Sequence, residues 1–269
     1  MILIATGLKR ELNILKGVGV RVVAGGGDAA RLERELEEAA RDADAVLSMG
    51  LCGALADGLK PGDWVVAAHI FPSPLAGEGV GGAGGWGVRG GAASGALETP
   101  PSEPLRGPPS PQGGREIKGW PTDANWAASL AKALRAQSGP MLGSDTMIAD
   151  AGAKAAAHAA TGALAVDMES HIAAAVARRH GLPFAVARVV SDAADRSLPK
   201  AAQAGMAADG SMDIVAVLKA LAADPRQLPA LMRVGAEAGK AFRELRRGRD
   251  LLGPGLGRLD LVQHLLDMP

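Results

Sequence analysis

Ala163-Leu-Ala-Val166, the helical stretch Glu169 to His180, and Phe184-Ala-Val-Ala-Arg-Val-Val190, closed by Ser191-Asp192, decide how this chain folds. The first and last are apolar runs of strand length, the second of them interrupted only by Arg188. The stretch between them reads as a helix that stops at Gly181, a residue suited to the left-handed turn after a last helical residue. Strands alternating with helices imply a largely parallel α/β sheet covered on both faces. An acid follows each strand: Glu169 stands near the start of the helix and Asp192 just past the apolar run.

The same alternation extends outward in both directions. Towards the N-terminus lie strands at Ile2–Ala5, Val20–Ala24, Ala45–Met49 and Trp64–Ile70, with helices at Leu8–Leu15 and Ala29–Arg41. Gly50-Leu-Cys-Gly-Ala-Leu55 reads as a tight glycine-rich turn after the third strand. Beyond Pro121-Thr-Asp123, a helix-start signal, a helix runs to Arg135, a strand spans Met141–Ser144, and an alanine-rich helix spans Ala151–Ala160. Ligands of such sheets bind at the carboxyl ends of strands, where Gly50, Asp145, Glu169 and Asp192 fall.

Two segments break the pattern. Almost half the residues from Pro72 to Arg115 are Gly or Pro, so this stretch cannot bury enough apolar surface to offset its ordering entropy. Its ends resemble each other, as a translated palindromic repeat would, and it reads as an inert low-complexity insertion; an ordered lid is the alternative. From Pro225 to Pro269 the chain reads as a basic amphipathic helical tail, with Leu228, Leu231, Met232, Phe242 and Leu245 at helical spacing. Such a tail packs on its own domain or on a second subunit, or lies on an anionic membrane surface. The chain therefore divides into 1–224 and 225–269.

Composition narrows the chemistry. The 269 residues carry zero formal net charge, which argues against nucleic acid as the main partner. A single cysteine excludes an internal disulfide and a multi-cysteine zinc site, and implies a reducing, cytoplasmic setting. The histidines show no metal-ligand spacing, and no cofactor or metal is expected.

Taken together, these blocks resemble the nucleoside phosphorylase and nucleosidase superfamily, especially the 5'-methylthioadenosine/S-adenosylhomocysteine nucleosidases. The resemblance covers nearly all of 1–71 and 116–220. It implies a three-layer α/β/α domain around a mixed, twisted sheet, and a homodimer or larger assembly. In Thr6-Gly-Leu-Lys-Arg-Glu11 it makes Glu11 the residue that positions the attacking water; the plainer reading is a solvated first-turn helix acid. Gly50, Cys52 and Gly53 fall beside the ribose, where glycine permits close approach, and Cys52 reads as a packing residue. In Ser144-Asp-Thr-Met-Ile148, Met147 covers a purine face and the Ile148 backbone meets its edge, roles compatible with core packing. Glu169 holds ribose hydroxyls with Met168 under the sugar, and Asp192, steadied by Ser191, protonates N7 of the departing base.

Phosphorylases of this superfamily hold phosphate with arginines and a serine. Here Leu47-Ser-Met-Gly-Leu51 has no arginine and carries Leu51 at the serine position. Arg10 is present, and Arg188, in a buried strand, is expected to pair with an acid of the site. Water is therefore the expected nucleophile, with phosphate the alternative. Arg115-Glu-Ile-Lys-Gly-Trp-Pro-Thr-Asp123 and the tail further resemble the hopanoid-associated phosphorylases, or adenosylhopane nucleosidases. That resemblance implies adenine release from a lipid-linked nucleoside in hopanoid biosynthesis, with the tail peripheral to the inner membrane. A small-thioether nucleosidase and a non-catalytic purine-nucleoside-binding protein are the other readings.

Overall fold

The computed structural model describes residues 1–73, 119–204, 210, 211 and 213–258. The insertion read at 72–115 lies outside the described residues from 74 onward, and so does the tail beyond 258. In order, the elements are β1 (Ile2–Thr6), α1 (Lys9–Leu15), β2 (Val20–Ala24), α2 (Ala29–Ala40), β3 (Ala45–Ala54), β4 (Trp64–Pro72) and β5 (Trp120–Pro121). There follow α3 (Ala124–Leu134), β6 (Gln137–Gly143), α4 (Ala151–Thr161), β7 (Ala165–Asp167), α5 (Ser170–His180), β8 (Phe184–Asp192), α6 (Lys200–Ala204), α7 (Ile214–Ala223) and α8 (Leu228–Leu252). Aspartates start four of the helices: Asp28, Asp123, Asp150 and Asp213 each accept a backbone N–H from the first turn.

The sheet is mixed. β1 pairs in parallel with β2 and β3, β8 runs parallel to β3 but antiparallel to β4, and β7 runs antiparallel to β3. With β4–β6 and β6–β7 parallel, strands β3, β8, β4, β6 and β7 close on one another. Helices cover both faces. Leu32, Leu36, Ile172 and Val176 of α2 and α5 pack on one, and Leu15, Trp126, Leu130 and Leu245 of α1, α3 and α8 on the other. The three-layer architecture is thus present.

The C-terminal half of α8 belongs to the second core through Ala241, Leu245 and Leu252. Gly248 lets it approach: a Cβ there would stand 2.2 Å from the Trp64 ring. Its N-terminal half and α7 differ, because Ile214, Val215, Leu218, Leu228 and Met232 are all exposed.

One expectation fails. Gly50–Ala54 is no turn but the second half of a ten-residue strand. Its glycines serve the close packing of other side chains, as glycine inside a strand often does. The difference fixes where a site can form. β8 occupies one edge of β3 from Val46 to Gly53. On the other edge β1 stops at Ser48 and β7 begins at Gly53, so the intervening residues face side chains instead of a strand.

Candidate active site

Glu11 fills that gap. It is 2 % exposed, and its Oε1 accepts the Leu51 backbone N–H at 2.7 Å. Its Oε2 accepts from Thr6 Oγ1 at 2.7 Å, Gly7 N at 2.8 Å and Leu8 N at 2.6 Å. The acid therefore ties the start of α1 to the middle of β3 and is not solvated. Each carboxylate oxygen offers about two acceptor sites, and because three of the donors share Oε2, one site stays open on Oε1. Gly50 makes the meeting sterically feasible: a Cβ there would be 2.8 Å from Glu11 Oε1, Thr6 Oγ1 and Arg188 Nη1 alike.

Arg188 is fully buried beside Gly50, its register partner on β3. Its Nε lies 2.7 Å from Asp167 Oδ2 as an ion pair, although that N–H has no aligned hydrogen-bond partner. Nη1 lies 3.1 Å from Glu169 Oε2, and Nη2 donates to Ser48 Oγ at 2.5 Å. Asp167 accepts in addition from the Ser170 backbone and hydroxyl, and that hydroxyl's oxygen lies 2.9 Å from Ser48 Oγ. One guanidinium thus faces two acids. It cannot neutralise both, and Glu169 keeps a proton.

Burial is the main reason the Glu169 carboxyl is pushed up to about 8; Arg188 opposes the rise, and the negative charges of Asp167 and Glu11 add to it. Unfolded Glu169 ionises near 4.5, whereas the folded protein holds the proton to about 8. This stability is complete below 4.5 and is lost as pH climbs towards 8. Glu169→Gln removes that slope. Urea unfolding at pH 5 and pH 8 is expected to show a smaller pH-dependent loss for the variant than for the wild type; equal losses would refute the assignment.

Asp192 sits at the other end of the gap, paired in register with Gly53. A Cβ on Gly53 would stand 3.2 Å from Asp192 Oδ2, so glycine is what lets the acid lie against β3. The Ser191 hydroxyl lies 2.7 Å from Oδ1 and 3.0 Å from the Cys52 carbonyl. Oδ2 accepts from Lys154 Nζ of α4. Cys52 itself is buried, which drives its thiol well above the ordinary range, so it packs and offers no thiolate.

Met168 and Glu169 line a small recess with Gly25, Gly27, Leu32 and Asp145. A Cβ on Gly7 would come within 2.7 Å of Glu169 Oε1, so the loop after β1 closes on this acid. Ile148 packs beside Leu55, Leu142 and Val166, and Met147 next to it is half-buried. Arg10 lies away from the gap: its guanidinium stacks 4.1 Å over the Phe242 ring on α8.

The structure therefore gathers Glu11, Gly50, Gly53, Glu169, Arg188, Ser191 and Asp192 along the middle of β3. Sequence reasoning gave no role to Thr6, Ser48, Asp167, Ser170 or Lys154, which hold these groups in place. Lys154 had left one signal, being the only Lys, Arg, Asp or Glu in the alanine-rich helix Ala151–Thr161. Among the described residues, no group of three or more His, Cys, Asp or Glu could hold a metal ion.

Comparison with known proteins agrees with this architecture. No curated protein matches the chain by sequence. The 5'-methylthioadenosine/S-adenosylhomocysteine nucleosidase of Neisseria meningitidis superposes with a TM-score of 0.55 at 16% identity, over 92% of this chain and 96% of that one. The S-adenosylhomocysteine nucleosidase of Streptococcus pyogenes gives 0.52 at 18% identity, over 94% and 97%. The Helicobacter pylori 5'-methylthioadenosine/S-adenosylhomocysteine nucleosidase gives 0.52 at 16%, over 93% and 97%. At such identities the likeness is one of fold. The family model of the phosphorylase superfamily matches residues 7–223, so the chain belongs to that superfamily and is an enzyme of the nucleosidase and phosphorylase class.

Proposed function

We propose that the protein hydrolyses the N-glycosidic bond of an adenine nucleoside, with adenosylhopane as its substrate. The observation that carries the hydrolytic part is the gathering of Glu11, Glu169 and Asp192 along β3, beside an arginine already committed to Asp167 and Glu169. Breaking the bond builds positive charge on the sugar and negative charge on the base. Asp192 protonates the base at N7, and Ser191 keeps its carboxyl oriented. Glu169 contacts the ribose hydroxyls; it enters carrying a proton and so both donates and accepts. Glu11, fixed by four donors, offers its last acceptor site to the attacking water. Met168 packs under the sugar, and Met147 with the Ile148 backbone frames the base. With Arg188 ion-paired and Arg10 stacked on Phe242, neither arginine is available for phosphate.

The lipid substrate is supported by the surface of α7 and the start of α8. Ile214, Val215, Leu218, Leu228 and Met232 are exposed, with Lys219, Arg226 and Arg233 among them. Apolar residues set among basic ones suit a peripheral contact with an anionic membrane at its cytoplasmic face. No helix among the described residues is long and apolar enough to cross a membrane. A homodimer or larger assembly completes the proposal. The names of the structural neighbours favour the second reading, a nucleosidase of small thioether nucleosides.

The test is adenine release from adenosylhopane and from methylthioadenosine, each with and without phosphate. Release from the lipid without phosphate, leaving a free anomeric hydroxyl on the sugar, is the expected result. A phosphate requirement would overturn hydrolysis, and turnover of the thioether alone would overturn the lipid. Flotation with anionic vesicles should use Ile214→Asp/Leu218→Asp/Met232→Asp and not removal of α8, whose second half is core.

A further inference from the structure

Lys154 has no part in the chemistry above, yet it is fully buried at the proposed proton donor. An ammonium has three N–H donors, and each has a partner here. They are Asp192 Oδ2, the Ala193 carbonyl at 3.0 Å and the Arg196 carbonyl at 2.9 Å. The lysine is approached from a long way off in sequence, on a helix that is itself latched to the loop after β8. Leu198 N donates to the Ala149 carbonyl at 2.8 Å, and Ala151 N to Ser197 Oγ at 2.9 Å. Removing a lysine from water is costly unless its charge is paired, and Asp192 is the pair.

We infer that Lys154 supplies, through Asp192, the proton that the departing base receives. This rests on the reading of Asp192 as the donor to N7. Asp192 then need not hold a proton before the substrate arrives. A proton passes from Lys154 Nζ to Asp192 Oδ2 along the existing hydrogen bond, and from the carboxyl to N7. The C1'–N9 bond breaks with its electron pair going to the base, which leaves as the neutral purine. The attacking water adds its oxygen to C1' and gives up a proton to the Glu11 carboxylate, which releases it to solvent, leaving the hydroxylated sugar. Lys154 is then a neutral amine and Asp192 a carboxylate. The amine regains its proton from solvent by way of the carboxylate: a cavity of about 320 Å³ reaches Asp192 between Arg196, Pro199, Ala230, Arg233 and Glu237. Lys154 acts through Asp192 and does not touch the base, so it is a positioning and proton-supplying residue.

Lys154→Met and Lys154→Arg test this, with Asp192→Asn as control and thermal melting as the check on folding. Methionine removes the charge and the proton. Arginine keeps a charge but has no proton to give near neutral pH. Both are expected to lower kcat for adenine release about 10²-fold, with KM within about threefold of wild type. Both should spare hydrolysis of 4-nitrophenyl riboside, whose leaving group departs without a proton. Recovery of kcat in the arginine variant, or equal losses on the two substrates, means a structural latch and overturns the inference. So does a methionine variant within about threefold of wild type. Where the methionine variant does not fold, Lys154→Gln takes its place. Full adenine release by Asp192→Asn would overturn the reading of Asp192 itself, a failure distinct from activity surviving only in the Lys154 variants.

Discussion

Asp192→Asn is expected to slow adenine release by about 10²- to 10⁴-fold while changing KM by no more than a few-fold. Asparagine has nearly the volume of aspartate, and its side-chain oxygen can still accept from Lys154 or from Ser191. The acid's surroundings are fixed from two sides, by the Ser191 hydroxyl on Oδ1 and by Lys154 on Oδ2. The substitution therefore removes the transferable proton and leaves the packing against Gly53 intact. A loss confined to kcat marks an interaction made in the transition state, whereas a loss confined to KM marks uniform binding. Steady-state kinetics of adenine release separate the two. A rate within about threefold of wild type would require another proton donor. Ser191→Ala is expected to cost much less, because it frees Oδ1 to rotate and leaves the proton path in place.

The strands and most helix limits were legible because each carries a local signal: an apolar run, a capping aspartate, a glycine past the last turn. Gly181, for instance, ends α5 in the left-handed conformation that its position after His180 predicts. The candidate acids were legible too, as residues, because they sit at the ends of such elements. Their partners were not. Asp167 stands two residues before Glu169, yet nothing local shows that a guanidinium twenty-one positions on will be shared between them. The run Gly50–Ala54 looks like a turn because glycine is turn chemistry; only the stop of β1 at Ser48 and the arrival of β7 at Gly53 make it a strand with an open edge. Lys154 was hidden for the same reason. A lysine on an alanine helix reads as solvated until the loop after β8 folds over it.

The buried ion pairs at Arg188 give the second large effect. Arg188→Met keeps the length of the side chain and removes the cation paired with Asp167 and Glu169. Breaking a buried pair by deleting one partner costs about 3–5 kcal/mol, because the remaining charge is left unpaired in a dry site. The cost must depend on pH in a predictable direction. Arg188 is what opposes the upward push on Glu169, so without it the folded protein holds that proton more tightly still. Stability of the variant then goes on falling above about pH 8, where that of the wild type levels off. Urea unfolding at pH 5 and above about pH 9 is expected to show a deficit at both, larger at the higher pH. Glu169→Gln in the same chain should return part of the loss at the higher pH, since it removes one of the stranded acids. Deficits that are equal at the two pH values, with no recovery in the double variant, would mean that Arg188 acts by filling space between β3 and β8 and not by its charge. Adenine release should be lost from the single variant at either pH, because the guanidinium beside Gly50 and Ser48 also holds Glu169, where the ribose is proposed to lie.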